Sequence, residues 1–149
     1  MKIVVRTAGK EDCAEISNLT NQLGYPSTVE DVCQRMDQIL AREGHQVFVA
    51  KKNQKIVGYI HLINSIRIGS EPFVEIVAFI VGAAFRGQGI GSLLITESEK
   101  WTTKLGINDI RIRSNVIRQD AHKLFSKKGF KNIKTQAVFL KHVPTADLF

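Results

Sequence analysis

Short apolar, β-branched runs alternate along this chain with stretches of helical period. KIVVRTA (2–8) reads as a strand. EDCAEISNLTNQLG then places Cys13, Ile16, Leu19, Thr20 and Leu23 on one face of a helix that ends near Gly24. Ser27 and Glu30 form an S-x-x-E capping box, which opens a second helix running to about Glu43 and stopped by Gly44. QVFVAKK (46–52) and KIVGYIHLIN (55–64) are apolar, β-branched and aromatic runs joined by a polar turn at Asn53, a hairpin signal. EPFVEIVAFIV (71–81) is almost continuously apolar with the single carboxylate Glu75 inside it. That pattern predicts a strand buried on both faces, hence a central one.

After Val81 a glycine-rich turn gives way to Leu93, Leu94, Glu97, Trp101 and Leu105 at helical spacing. INDIRIRSN follows as a fifth strand, and QDAHKLFSKKG as an amphipathic helix with Gly129 as its C-cap. FKNIKTQAVFLKHV is expected to supply a final strand or strand pair. From residue 71 onward strands alternate with helices, so a mixed α/β sheet with a crossover helix between parallel strands is predicted. No repeat or low-complexity linker interrupts the chain, and its 149 residues suit one domain spanning 1–149.

Composition narrows the possibilities. With 44% apolar and 23% charged residues the chain has ordinary globular usage and should fold without staples. The opening MKIVVRTAGKEDC is too briefly apolar for a secretory core or a bilayer span, so no membrane association is expected and a cytoplasmic location is. Cys13 and Cys33 form no C-x-x-C and have no histidine at ligand spacing. They are expected as reduced thiols on helices, a single disulfide being the alternative. His45, His61, His122 and His142 are too dispersed for a metal triad, and no metal is expected. The net charge of +7 attracts polyanions, with CoA and nucleic acid as candidates. The basic residues are scattered, the groups around Lys51, Lys52 and Lys55 and around Arg111, Arg113 and Arg118 included. No aromatic strand of the RNP1 type accompanies them, so nucleic acid is disfavoured and most lysines read as a solvated face.

The most informative segment is Arg86-Gly87-Gln88-Gly89-Ile90-Gly91, where a buried strand turns into a helix. Small residues there let backbone N–H groups approach a phosphate, and the helix N-terminus adds favourable potential. A Walker A loop would need a lysine after Gly91, and Ser92 stands there. A Rossmann loop counted from Gly87 would need a third glycine at that same Ser92 and an acid at the end of the next strand, where Ser114 and Asn115 stand.

Arg86, Gly89 and Gly91 match the R-x-x-G-x-G signature of GCN5-related N-acetyltransferases (GNAT), and the chain resembles that family over about half its length. Val81 to Phe85 fit the family's strand end and turn, with Ala83 in place of the usual proline. Asn115, Ala121, Phe125 and the Gly129-Phe130 pair resemble its second half. The run SNVIRQDAHKLFSKKGF is similar to that of aminoalkylphosphonate N-acetyltransferases and their relatives.

The resemblance implies a GNAT fold, an α/β domain of α+β type with a central mixed sheet of six to seven strands and about four helices. It implies acetyl-CoA as co-substrate, held by Phe79, Ile80, Val81, Arg86, Gly87, Gln88, Gly89, Ile90, Gly91, Ser92, Asn115, Phe125 and Lys128. It also implies direct attack of a neutral amine on the thioester, with a backbone N–H near Ile80 or at Val81 stabilising the carbonyl oxygen. Glu75 is the candidate base because it is the one carboxylate inside the apolar run, and pairing with an arginine is its structural alternative. Phe125 stands where many relatives carry a tyrosine that protonates the departing thiolate. Water, another hydroxyl such as Ser126, or unassisted departure must serve instead. The acceptor site is expected from the first two helices, Tyr25, the stretch Asn64 to Ser70 and the last strand. A small primary amine is the expected acceptor. A protein N-acetyltransferase, or a catalytically weak module that binds CoA or nucleic acid, are the competing classes. An exposed final strand could join two copies as a homodimer.

Overall fold

A computed structural model describes residues 2–22, 24, 26–114 and 119–145. It divides into two compact units, residues 1–114 and 115–149. The first unit contains β1 (Ile3–Thr7), α1 (Cys13–Gln22), α2 (Val29–Leu40), β2 (His45–Lys52), β3 (Lys55–Arg67), β4 (Ser70–Val81), α3 (Ile90–Lys104) and β5 (Ile110–Ile112). The second contains α4 (Gln119–Lys127).

Strand order follows chain order, β1-β2-β3-β4-β5. The first three pairings are antiparallel, and β4 pairs with β5 in parallel after the crossover through α3. The mixed sheet and its crossover helix are therefore as predicted. The β2–β3 hairpin turns at Asn53 and Gln54, both at positive φ (53° and 65°). Successive residues of a strand face opposite sides of the sheet, and Gly58 and Tyr59 show which helices lie on each. Tyr59 joins Ile16, Leu19, Val32, Met36, Val47, Val49 and Ile80 in the core under α1 and α2. A Cβ on Gly58 would meet Ile90 and Leu94 of α3. The sheet is thus sandwiched, with α1 and α2 on one face and α3 on the other.

Several local expectations are corrected. Thr28 caps α2, its hydroxyl accepting from the N–H of Asp31 at 3.0 Å. Ser27 instead accepts from Arg35 at 3.1 Å, so the start of the helix lies one residue later than the Ser27–Glu30 box predicts. Its end is earlier too, at Leu40. Either hydroxyl can cap a helix, and the apolar face of Val32 and Met36 sets the register. Cys13 and Cys33 are joined by a disulfide, with Cα atoms 5.2 Å apart, and are not free thiols. Sequence spacing does not reveal that two helix faces will be pressed together. A strand buried on both faces was expected at β4, but Val77 is exposed there.

The largest correction concerns strand number. The sheet has five strands among the described residues, not six to seven, because no strand forms between 130 and 145. Val138, Phe139, Leu140 and Val143 are exposed there. β-branched and aromatic composition records a preference for a half-buried pleated surface, and without a partner strand it forms no ladder. In the second unit, α4 ends as predicted on Gly129 (φ 89°), with the N–H of Phe130 donating to the carbonyl of Phe125 at 2.9 Å.

Candidate active site

The β4–α3 junction is built by glycines that the backbone path requires. Gly87 and Gly89 have φ of 77° and 82°, left-handed values costly to any side chain, and nothing lies within 4 Å of where their Cβ atoms would stand. Gly89 is the N-cap of α3, and the first helical hydrogen bond runs from the N–H of Leu93 to its carbonyl at 3.1 Å. The amides of Ile90, Gly91 and Ser92 therefore have no helical acceptor, and they point out of the N-terminus of a 15-residue helix. Such a turn can hold a pyrophosphate through its backbone.

Cations surround this loop. The Arg86 Nε donates to the carbonyl of Val81 at 3.4 Å, tying the loop back to β4. Lys52 Nζ donates to Gln88 Oε1 at 2.7 Å, and Lys52 and Lys55 both lie over the Phe85 ring, at 5.9 and 5.8 Å. In the sequence these two lysines read as a solvated face. The signal that places them here is the hairpin turn at Asn53, which swings their strand ends toward the loop.

β4 parts from β5 before it reaches the loop. Pairing ends at Ile76↔Ile112, while β4 continues to Val81. Between Ile76 and Ala78 the register with β3 slips, leaving Val77 as a bulge, a device found beside active sites. The N–H of Gly82 donates to Val57 on the β3 side at 2.8 Å. By alternation the N–H groups of Val81 and Phe79 face the opposite edge, toward the opening. The Ile80 side chain is buried in the core under α1 and α2.

Glu75 is 13% exposed, with Oε1 3.7 Å from Arg67 and Oε2 3.3 Å from Arg113. Both oxygens face guanidinium groups, which is the pairing alternative of the sequence reading. Arg67 and Arg111 also lie over Phe73, their Cζ atoms 5.0 and 4.0 Å from the ring centre. On the same sheet face, His45 Nδ1 and His61 Nε2 are 3.0 Å apart. Burial, with His45 adding to it, holds the His61 pKa down at about 4, so its ring is neutral at pH 7. This pair escapes sequence reading because the strand register, not sequence distance, brings it together.

The remaining site expectations separate from this geometry. Asn115 and Tyr25 lie outside the described residues. Phe125 and Lys128 belong to the second unit. There Phe125 is buried, with its ring 5.8 Å from that of Phe130 and 6.5 Å from that of His122. Ser126 is exposed on the same helix. Ser65 to Arg67, beyond the strand expected at 55–64, are also part of β3, and only Ile68 and Gly69 separate that strand from β4. No group of three or more metal-ligating side chains occurs among the described residues. Nor is any of their helices long and apolar enough to cross a membrane.

A strand that opens beside its parallel neighbour, followed by an amide-lined turn at a helix N-terminus, is able to hold a ligand that carries a pyrophosphate. The family model for the acetyltransferase (GNAT) family matches residues 11–130, and the chain belongs to that family. It is 25% identical over 122 residues to the uncharacterized N-acetyltransferase YhdJ of Bacillus subtilis, covering 81% of this chain and 86% of that protein. It is 30% identical over 84 residues to the aminoalkylphosphonate N-acetyltransferase of Salmonella typhimurium, 56% of this chain and 54% of that one. In fold it is similar to the aminoglycoside N-acetyltransferase AAC(6')-Iy in complex with CoA. That likeness has a TM-score of 0.85 at 18% identity and covers 95% of this chain and 96% of that one. The protein is an acetyl-CoA-dependent N-acetyltransferase.

Proposed function

We propose that this enzyme transfers the acetyl group of acetyl-CoA to the primary amine of a small molecule by direct attack. The observation that carries the proposal is the geometry of residues 76–92. A strand opening there leads into the Gly87–Ser92 turn, whose free helical amides and left-handed glycines suit a pyrophosphate. Arg86, Lys52 and Lys55 supply cations around it, and Gln88 is held by Lys52. The acetyl-CoA arm would run along the opening of β4, where the N–H of Val81 is aimed at the developing negative charge on the carbonyl oxygen. Asn115, Phe125 and Lys128 are proposed as further cofactor contacts on the family resemblance alone. The family match runs across both units, which supports their acting as one domain. The small-molecule acceptor is supported by relatives named for aminoalkylphosphonates and aminoglycosides.

Glu75 is proposed to receive the amine's proton by way of intervening water. Phe125 has no proton to return to the thiolate, so its departure relies on solvent or on the low basicity of a thiolate. A homodimer through the exposed segment containing Val138, Phe139 and Leu140 is part of the same proposal. So is a cytoplasmic location, and the Cys13–Cys33 disulfide is the observation that pulls against it.

The test is steady-state CoA release over a panel of amines, repeated with Glu75→Gln. Turnover dependent on a small amine is expected. A fall in kcat of about 10² or more, with the acceptor KM held, marks Glu75 as the base. A rise in KM alone assigns it to positioning the arginines. No turnover with any small amine, alongside turnover of a peptide N-terminus or lysine, would overturn the small-molecule reading.

A further inference from the structure

By alternation Tyr59, His61, Ile63 and Ser65 share the face of the sheet that carries α1 and α2. The register Ile63↔Glu75 and Ser65↔Phe73 puts Glu75 and Phe73 on that face as well. Glu75 is also the parallel partner of Arg111, and Arg113 directly follows the end of β5, with its Nε 3.3 Å from Glu75 Oε2. The guanidinium groups of Arg67, Arg111 and Arg113 thus gather beside Phe73 and Glu75, just before β4 and β5 part at Ile76. Arg67 and Arg111 share the Phe73 ring, while Arg67 and Arg113 share Glu75. Among the described residues, Glu75 is the carboxylate that pairs with Arg67 and Arg113, while Arg111 is held by the Phe73 ring.

Three guanidinium groups around one carboxylate leave an excess of positive charge. Part of it is open to solvent, since the side chains of Arg67 and Arg113 are 47% and 65% exposed. The arginines are also held in place, Arg111 and Arg67 by the ring and Arg113 and Arg67 by Glu75. Such a pre-positioned set of planar N–H forks matches the oxygens of a phosphonate, phosphate or carboxylate. Along the strand, Glu75 precedes Phe79 by at most about 13 Å, and the Val77 bulge shortens that path. Arg113, with its side chain 65% exposed, is long enough to meet an anion on the side of the opening, which would leave a short aliphatic spacer between that anion and an amine. A polycationic acceptor would meet repulsion here.

We propose that Arg67, Arg111 and Arg113 form the subsite for an anionic group on the acceptor. The substrate class is then a small amine bearing a phosphonate, phosphate or carboxylate. The assignment rests on the small-amine reading above and names its substrate class.

The test compares 2-aminoethylphosphonate, phosphoethanolamine, β-alanine, ethanolamine and spermidine as acceptors for the wild type, Arg113→Gln and Arg113→Lys. At least one anionic amine should exceed ethanolamine in kcat/KM by about tenfold or more, in line with charge-assisted bonds to fixed guanidinium groups. In Arg113→Gln that preference should fall severalfold through acceptor KM, and Arg113→Lys should restore part of it. In parallel, ethylphosphonate, which has no amine, should raise the melting temperature of the wild type and do so less in Arg113→Gln. Equal or better use of ethanolamine or spermidine overturns the subsite while leaving the small-amine function standing. Absence of turnover with all five refutes the small-amine reading for this panel, and the ethylphosphonate shift then decides the subsite by itself. No ethylphosphonate shift in the wild type also overturns the subsite.

Discussion

At Gly58 the sheet packs directly against α3, and Gly58→Ala tests that packing. A Cβ there would stand 3.0 Å from the carbonyl oxygen of Ile80, 3.2 Å from Ile90 Cγ2 and 3.4 Å from Leu94 Cδ1. The carbonyl belongs to the β3–β4 ladder and yields little, so relief must come from the start of α3. Overpacking of this kind costs about 1–3 kcal/mol. The stiffer unfolded chain of alanine returns about 0.4–1 kcal/mol, leaving a net loss of about 1–2 kcal/mol. At roughly 2–4 °C per kcal/mol for a chain of this size, the melting temperature should fall by about 2–8 °C. Ile90 directly follows Gly89, so pushing it outward also tilts the free amides at the N-terminus of α3. Acetyl-CoA affinity should therefore weaken severalfold, which isothermal titration calorimetry would measure beside the thermal melt. A variant with unchanged melting temperature and unchanged Kd would refute the claim that this contact sets the position of the loop.

His61 predicts an acid-side loss of stability. Its pKa, lowered to about 4 by burial and by His45, means the native state prefers the neutral ring. The contribution is therefore complete above the ordinary value near 6.5 and is lost as pH falls toward 4. With allowance for the partial exposure of the ring, the wild type should lose about 2 kcal/mol more than His61→Leu between pH 7 and 4 in urea unfolding, and equal losses would remove the claim. The Cys13–Cys33 disulfide closes a sequence separation of 20 between α1 and α2. Cys13→Ser, or reductant on the wild type, should cost about 3 kcal/mol, and identical melts with and without reductant would show that the bond contributes nothing.

The glycine turn proposed to hold the cofactor was legible because its physics is local. Gly87 and Gly89 need left-handed φ, α3 announces itself by period, and the apolar run of β4 stands beside both. Pairing across distance was not legible. His45 and His61 meet only through the β2–β3 register, and Lys52 and Lys55 reach the loop only through the hairpin turn. The arginines around Phe73 and Glu75 come from two strands that α3 separates in sequence. Strand propensity misled in the opposite direction at 130–143, where apolar β-branched residues lie exposed without a ladder. The Cys13–Cys33 bond shows the same limit, since neither helix alone reveals that the other will cover it.

The most direct test of the account is a thermal melt with and without saturating acetyl-CoA, on the wild type and on Gly89→Glu, with ATP as a control. The substitution forces a side chain onto a φ of 82° and places a carboxylate where the pyrophosphate would lie. The account predicts stabilisation of the wild type, about 2.7 kcal/mol at a hundredfold excess over Kd, and little or none in the variant. No shift in the wild type, or the same shift in both proteins, would contradict the assignment of Gly87 to Ser92 as the acetyl-CoA site.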